Sequence, residues 1–260
     1  MKRGLTIGKF APLHKGHQKL IEHALSEMDE LYVIVYDAPN LINIPLSLRA
    51  AWLKKIYPEV IVIEAKDVPK DVGWTEEIQQ KHEDYVLSLI EGVSIDAFYS
   101  SEAYGFRMSK ALNCKNVVVD LGRYAISISG TQIRESLFEN RHFLNPIVYS
   151  DFITKVAVLG ESEGQVRIII NHLGELNNTI AAFNPECDDV THLVYGSNQV
   201  FFAGFSHMDI PVGFDLYYVI DDGLRLFHNH MDVPVTKISG SVEAILSTIQ
   251  DDLTRFRKFR

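Results

Sequence analysis

Gly8-Lys9-Phe10-Ala11-Pro12-Leu13-His14-Lys15-Gly16-His17 decides how this chain folds. It follows a short apolar run at residues 5–7 and precedes a segment in which Leu20, Ile21, Ala24, Leu25 and Met28 recur at threes and fours. The order is strand, tight turn, helix start. Gly8 lets backbone approach a ligand, Pro12 sets its own φ where the turn enters the helix, and the first helical N–H groups are free to face an anion. His14 and His17, three apart, project from one face near that helix start. Two imidazoles there can donate hydrogen bonds to phosphoryl oxygens and stabilise growing charge without a covalent step. An H-x-x-H pair on an arbitrary helix would read as two surface histidines.

Working outward, strand-like runs at residues 31–36, 60–64, 95–99 and 116–119 alternate with helical patterns. Their near-continuous apolar character suits strands covered on both faces, and alternation with helices implies a parallel sheet. The fold class is therefore α/β, a doubly wound parallel sheet, with the site expected in the turns beyond the carboxyl ends of its strands. The last of these turns carries Ile128-Ser129-Gly130-Thr131-Gln132-Ile133-Arg134. Ser129 and Gln132 have capping-box spacing, and Arg134 adds a cation that can grip phosphate oxygens bidentately.

The pattern G-x-F-x-P-x-H-x-G-H, followed by I-S-x-T-x-I-R, resembles the nucleotidylyltransferase superfamily. Between the two motifs, the Gly73-Trp74 loop and the Ser100-Ser101-Glu102-Ala103-Tyr104-Gly105 turn extend the likeness to the nicotinamide mononucleotide adenylyltransferase domain of NadR-type proteins, over residues 4–140. That resemblance implies adenylyl transfer from ATP to nicotinamide mononucleotide, giving NAD and pyrophosphate, with Mg2+ neutralising the leaving group. It implies that His14 and His17 contact the ATP phosphates, that Lys9 is a further cation, and that Ser129, Thr131 and Arg134 cradle the β and γ phosphates. Gly8 and Phe10 join the expected ATP site. Trp74 precedes a helix capped by Thr75; it either stacks on the acceptor ring or folds back on the sheet. Trp52, on a helix after Pro45 with Arg49, repeats with Leu48 and Ile56 and reads as core. Competing functions are transfer to another phosphorylated acceptor such as phosphopantetheine or a flavin nucleotide, use of CTP, and a non-catalytic NAD- or ATP-binding regulator.

A second α/β domain is expected over residues 151–260, after a transferase domain over 1–150. Residues 152–159 read as a strand, followed by Gly160-Glu161-Ser162-Glu163-Gly164-Gln165-Val166-Arg167. This resembles the G-E-S-x-G-K-[ST] loop of the ribosylnicotinamide kinase domain that follows the transferase in NadR-type proteins. The lysine is replaced by Gln165 and the magnesium-binding hydroxyl by Val166, so the domain is read as a degenerate P-loop kinase without kinase activity. Residues 214–220 read as a strand, Asp222-Gly223-Leu224-Arg225 resembles a kinase lid, and Ser241 opens a helix through Ile245, Ile249 and Leu253. His207, His228 and His230 lack the partners of a metal site, and the basic, aromatic end 255–260 reads as a cationic helix terminus.

Composition sets the limits. The 260 residues are 47% hydrophobic and 23% charged, as in an ordinary globular protein. A net charge of −9 argues against general nucleic-acid binding. Cys114 and Cys187 show no metal-ligand spacing and read as buried or half-buried thiols. The chain reads directly into a strand and carries no apolar run of membrane-spanning length, so the cytoplasm is the expected compartment and no membrane partner is expected. A homo-oligomer is left open.

Overall fold

A computed structural model describes residues 1–38, 43–206, 212–220 and 235–256, with the side chains of 187–189 undescribed. The lid-like segment at Asp222, the histidines at 207, 228 and 230, the Cys187 thiol and the last four basic and aromatic residues lie outside what is described. The chain divides into two compact units, Met1–Asn145 and Pro146–Arg260.

The first unit is built on a five-stranded parallel sheet of β1 (Arg3–Gly8), β2 (Glu30–Tyr36), β3 (Ile61–Ala65), β4 (Ala97–Ser100) and β5 (Lys115–Val118), in the order β3-β2-β1-β4-β5. Strand β1 pairs with β2 from Arg3↔Glu30 to Gly8↔Val35 and with β4 through Thr6↔Tyr99. Strands in the middle of such a sheet are covered on both sides, which is why they appear as unbroken apolar runs. Leu5, Val33, Ile34, Val35 and Phe98 are all fully buried. Helices α1 (Lys15–Glu27), α2 (Leu46–Ile56), α3 (Glu76–Leu89), α4 (Gly105–Ala111) and α5 (Gly130–Glu135) form the connections and the cover. Strand order reverses on either side of β1, so a crevice opens beyond the ends of β1 and β4. Trp52 on α2 is 1% exposed and belongs to the core, as its spacing implied.

The second unit has its own parallel sheet. It contains β6 (Thr154–Leu159), β7 (Ala181–Phe183), β8 (Val200–Phe205), β9 (Leu216–Ile220) and β10 (Val235–Ile238), in the order β10-β9-β6-β8-β7. Its helices are α6 (Pro146–Ser150), α7 (Glu163–Leu176), α8 (Cys187–Gly196) and α9 (Val242–Arg255). Helix α6 belongs with this unit because the Tyr149 hydroxyl donates to Ser197 O at 2.6 Å and its ring meets Tyr195 edge-on. Strand β6 lies at the centre, and α7 covers it through Val166, Ile169, Ile170 and Leu173. Helix α9 begins after Ser241, whose hydroxyl accepts the Ala244 N–H, and buries Ile245 and Ile249. Strands β7, β8 and β10 were not foreseen: β7 has three residues and β10 is half-exposed, whereas β8 is an apolar run that the sequence displays openly. Among the described residues no helix is long and apolar enough to cross a membrane.

Candidate active site

The turn after β1 is shaped by its two histidines. His14 caps α1, its Nδ1 accepting the Gly16 N–H at 3.1 Å, while His17 Nδ1 accepts the His14 N–H at 3.3 Å. The pair forms a capping box made of imidazoles. Because each Nδ1 serves as an acceptor, the proton of each neutral ring sits on Nε2. Both rings thus offer an N–H donor. They stack with centroids 3.7 Å apart, and a side chain at Gly16 would meet the His14 ring at 3.0 Å, which explains the glycine between them.

Both histidines are held neutral. Burial, and secondarily the charge of Arg123, push the His14 pKa down to about 4. Burial also takes His17 well below the ordinary imidazole value, helped by His14 and then Arg123. Neutral rings stack without repulsion, and a neutral pair can stabilise charge by hydrogen bonding without carrying a proton at neutral pH.

The second motif meets the first in space. Ser129 caps α5 in the expected capping box, its hydroxyl accepting the Gln132 N–H at 3.2 Å and Gln132 Oε1 accepting the Ser129 N–H at 2.9 Å. Arg134 Nη1 donates to Ala11 O, and Nη2 donates to Thr131 Oγ1 at 3.2 Å. A side chain at Gly130 would stand 2.8 Å from Ala11 O, so glycine is what lets α5 approach the first turn. Segments more than a hundred residues apart therefore share a hydrogen bond at the crevice.

A cavity of about 760 Å3 opens there, and its walls include Gly8, Lys9, Phe10, His14, His17, Trp74, Ser129, Thr131 and Arg134. The structure brings all nine expected residues to this one space. The Ser100-Ser101-Glu102 turn and Tyr104 also line it, with the Tyr104 hydroxyl donating to Ile7 O at 3.0 Å. Trp74 is 87% exposed, so it stands at the rim instead of folding onto the sheet. Its carbonyl accepts from Gln79 Nε2 at 2.8 Å, which ties the loop to α3.

Several lining residues escaped the sequence reading. Arg123, in the loop after β5, faces Glu102 at 3.7 Å and supplies a cation near both histidines. Reading every loop beyond a strand end would have found it. His82 on α3 contacts the Tyr36 hydroxyl at 2.5 Å through Nδ1 and Asp71 O at 2.9 Å through Nε2. Arg107 on α4 bridges Glu83 and Glu76 of α3, with Nη2 donating to Glu76 Oε1 at 2.8 Å. These contacts are local to tertiary packing and leave no sequence spacing to detect.

The acids of the cavity do not make a metal cage. Among the described residues no group of three or more His, Cys, Asp or Glu side chains could hold a metal ion. Glu83 is tied to Arg107, and the Asp120 carboxylate accepts N–H groups from Ala125 and Ile126.

The second unit's loop has a different character. Ser162 caps α7, accepting the Gln165 N–H at 3.3 Å. Val166 is fully buried, and Arg167 is engaged by Glu163 at 2.7 Å and lies 3.8 Å over the Phe183 ring.

Residues 5–136, just over half of the chain, match the family described as cytidylyltransferase-like. The chain is 29% identical over 219 residues to the trifunctional NAD biosynthesis/regulator protein NadR of Escherichia coli (strain K12), covering 76% of this chain and 50% of that protein. It is 25% identical over 179 residues to a nicotinamide-nucleotide adenylyltransferase of Methanocorpusculum labreanum, covering 65% of this chain and 96% of that one. The chain spans about half the length of the NadR relatives it matches. In structure it is similar to a NadR protein crystallised with NAD and AMP-PNP, with a TM-score of 0.55 at 19% identity, over 98% of this chain and 88% of that one. That likeness is one of fold.

Proposed function

From a chain that belongs to the cytidylyltransferase-like family, we infer an adenylyltransferase that joins ATP to nicotinamide mononucleotide, giving NAD and pyrophosphate. The observation that carries this reading is the meeting of the histidine capping box with α5 across Ala11, in one cavity that Trp74 also lines.

The chemistry follows from the donors. The acceptor's 5′-phosphate attacks the α-phosphorus in line, so the protein contributes positioning and charge stabilisation rather than a nucleophile. The Nε2–H groups of His14 and His17 donate to the transferring phosphoryl, where negative charge grows in the transition state. Lys9, Arg123 and Arg134 balance the β and γ phosphates, and the capped start of α5 offers its N–H groups to the same anion. On binding, Arg123 exchanges the distant Glu102 carboxylate for phosphate oxygen. With no described cluster of side chains to hold it, a divalent ion such as magnesium would be carried on the nucleotide's own phosphate oxygens and would supply charge neutralisation for the pyrophosphate.

The acceptor is assigned to the Trp74 side. An exposed indole held by its backbone to α3 presents a face on which a cationic pyridine ring can stack. A nicotinamide-nucleotide adenylyltransferase among the relatives, and the NAD in the structurally similar protein, support that acceptor, while a phosphopantetheine adenylyltransferase among the relatives supports the competing one. The second unit transfers no phosphate in this reading, since Gln165 and the buried Val166 replace the two groups a P-loop needs.

The test is pyrophosphate release with ATP and magnesium across acceptors that include nicotinamide mononucleotide, phosphopantetheine and flavin mononucleotide, with His17→Ala alongside. Release with nicotinamide mononucleotide alone, lost in His17→Ala, is the expected result. Release only with another acceptor overturns the acceptor, and silence throughout makes a nucleotide-binding regulator the better account.

A further inference from the structure

Arg49 is fully buried, a costly place for a guanidinium unless its donors are met. They are met by three segments. Nε donates to Ile44 O at 3.0 Å, Nη1 to Lys9 O at 2.7 Å and Tyr36 O at 2.9 Å, and Nη2 to Asp37 Oδ1 at 2.9 Å. Burial lowers its pKa and Asp37 opposes that, so the group stays cationic.

The bond to Lys9 O has functional reach. The Lys9–Phe10 peptide plane carries that carbonyl, and its orientation sets φ of Phe10. Phe10 stands at φ +48°, a left-handed conformation that a bulky residue keeps only where its surroundings impose it. The residue is 2% exposed, its ring meets the His17 ring edge-on at 5.0 Å, and His17 stacks on His14. A physical chain thus runs from Arg49 through one peptide plane to the imidazole pair.

We propose that Arg49 is a positioning residue: it fixes the Lys9–Phe10 peptide and, through the Phe10 ring, aims His17 without touching substrate. Its effect on rate rests on the adenylyl-transfer reading above; its effect on geometry does not. Tyr36 and Asp37 anchor the guanidinium to the end of β2, so the same side chain ties the phosphate turn to its neighbouring strand.

The test compares wild type, Arg49→Lys and Asp37→Asn in the full chain. A single ammonium keeps the charge but cannot meet four acceptors on three segments. Arg49→Lys is expected to lower kcat for pyrophosphate release about 10- to 100-fold, with both Michaelis constants held within about threefold. The ring-shifted imidazole NMR signals of His14 and His17 should move with it. Asp37→Asn, which loosens only Nη2, should move them less and lower kcat roughly two- to fivefold; it carries the test if Arg49→Lys does not fold. Imidazole signals unmoved in the folded variant, signals that move with kcat unchanged, or a loss of kcat that only tracks the fraction folded would each overturn the proposal. If wild type is silent with every acceptor, the adenylyl-transfer reading fails, and the imidazole signals alone decide the role of Arg49.

Discussion

The chain builds a strand, a glycine-bearing turn and a capped helix twice, once after β1 and once after β6, and furnishes the two differently. After β1 the cap is His14, bonded to His17, and both rings keep an N–H donor on a cavity wall. After β6 the cap is Ser162, and the residues that follow turn inward or onto neighbours. Val166 packs where a side chain on Gly160 or Gly204 would meet it, at 3.0 and 2.6 Å. Arg167 is occupied by Glu163 and Phe183. A helix N-terminus supplies backbone donors in both places, and the side chains of its first turn decide whether an anion can use them.

Removing a donor from the open turn should break this contrast most severely. His17→Ala is expected to lower kcat about 100- to 1,000-fold, the range for one preorganised donor in a transition state; a loss below tenfold in pyrophosphate release would reduce the capping box to architecture. Arg134→Ala should lower kcat/KM for ATP by roughly 10- to 100-fold, since a charge-assisted contact and the link to Ala11 disappear together. Steady-state kinetics with ATP varied would check it. Trp74→Ala, at an exposed rim position, should raise the acceptor's Michaelis constant about 2- to 10-fold and leave that for ATP unchanged.

Two smaller effects sharpen the comparison from the other side. The double change Gln165→Lys and Val166→Thr returns P-loop residue types to the closed turn. It should produce no phosphorylation of ribosylnicotinamide and cost about 1–2 kcal/mol of stability, because a hydroxyl enters the apolar packing of α7. Phosphate transfer by that variant would show the second turn to be closed only by composition. The pH response should be the mildest. His14 titrates near 4 in the folded chain against 6.5 for an ordinary imidazole, so the unfolded chain takes up a proton first. Stability should be retained above about 6.5 and decline as pH falls toward about 4. Turnover should show no imidazole limb between pH 6 and 7, and a limb there would mean that the rings are not held neutral.

Much of the first unit was legible. Its five strands fall within one or two residues of the apolar runs, because the inner strands β1, β2 and β4 are covered on both faces and so favour apolar residues, and even the edge strands β3 and β5 keep short apolar stretches. The Ser129–Gln132 capping box was likewise visible as spacing, since a cap is a local device. The second unit was read less completely: three-residue β7 and half-exposed β10 have too little apolar continuity to stand out. Arg49 was placed on the correct helix without its role, because nothing in Leu48-Arg49-Ala50 announces that a cation inside a core faces Lys9 O forty residues away.

By itself, the sequence determined the parallel α/β sheet, the turn that carries the two histidines, the second capped helix, and the loss of P-loop residues at Gln165 and Val166. These are properties of local pattern: apolar runs, cap spacing and residue type. Only the tertiary structure decided that Arg134 reaches Ala11, that Arg123 and His82 join the cavity, that both histidines are neutral with Nε2 as donor, and that Arg49 holds the first turn. Those are matters of distance and burial between remote segments, which hydrogen-bond geometry and desolvation set after the sheet has brought its loops together.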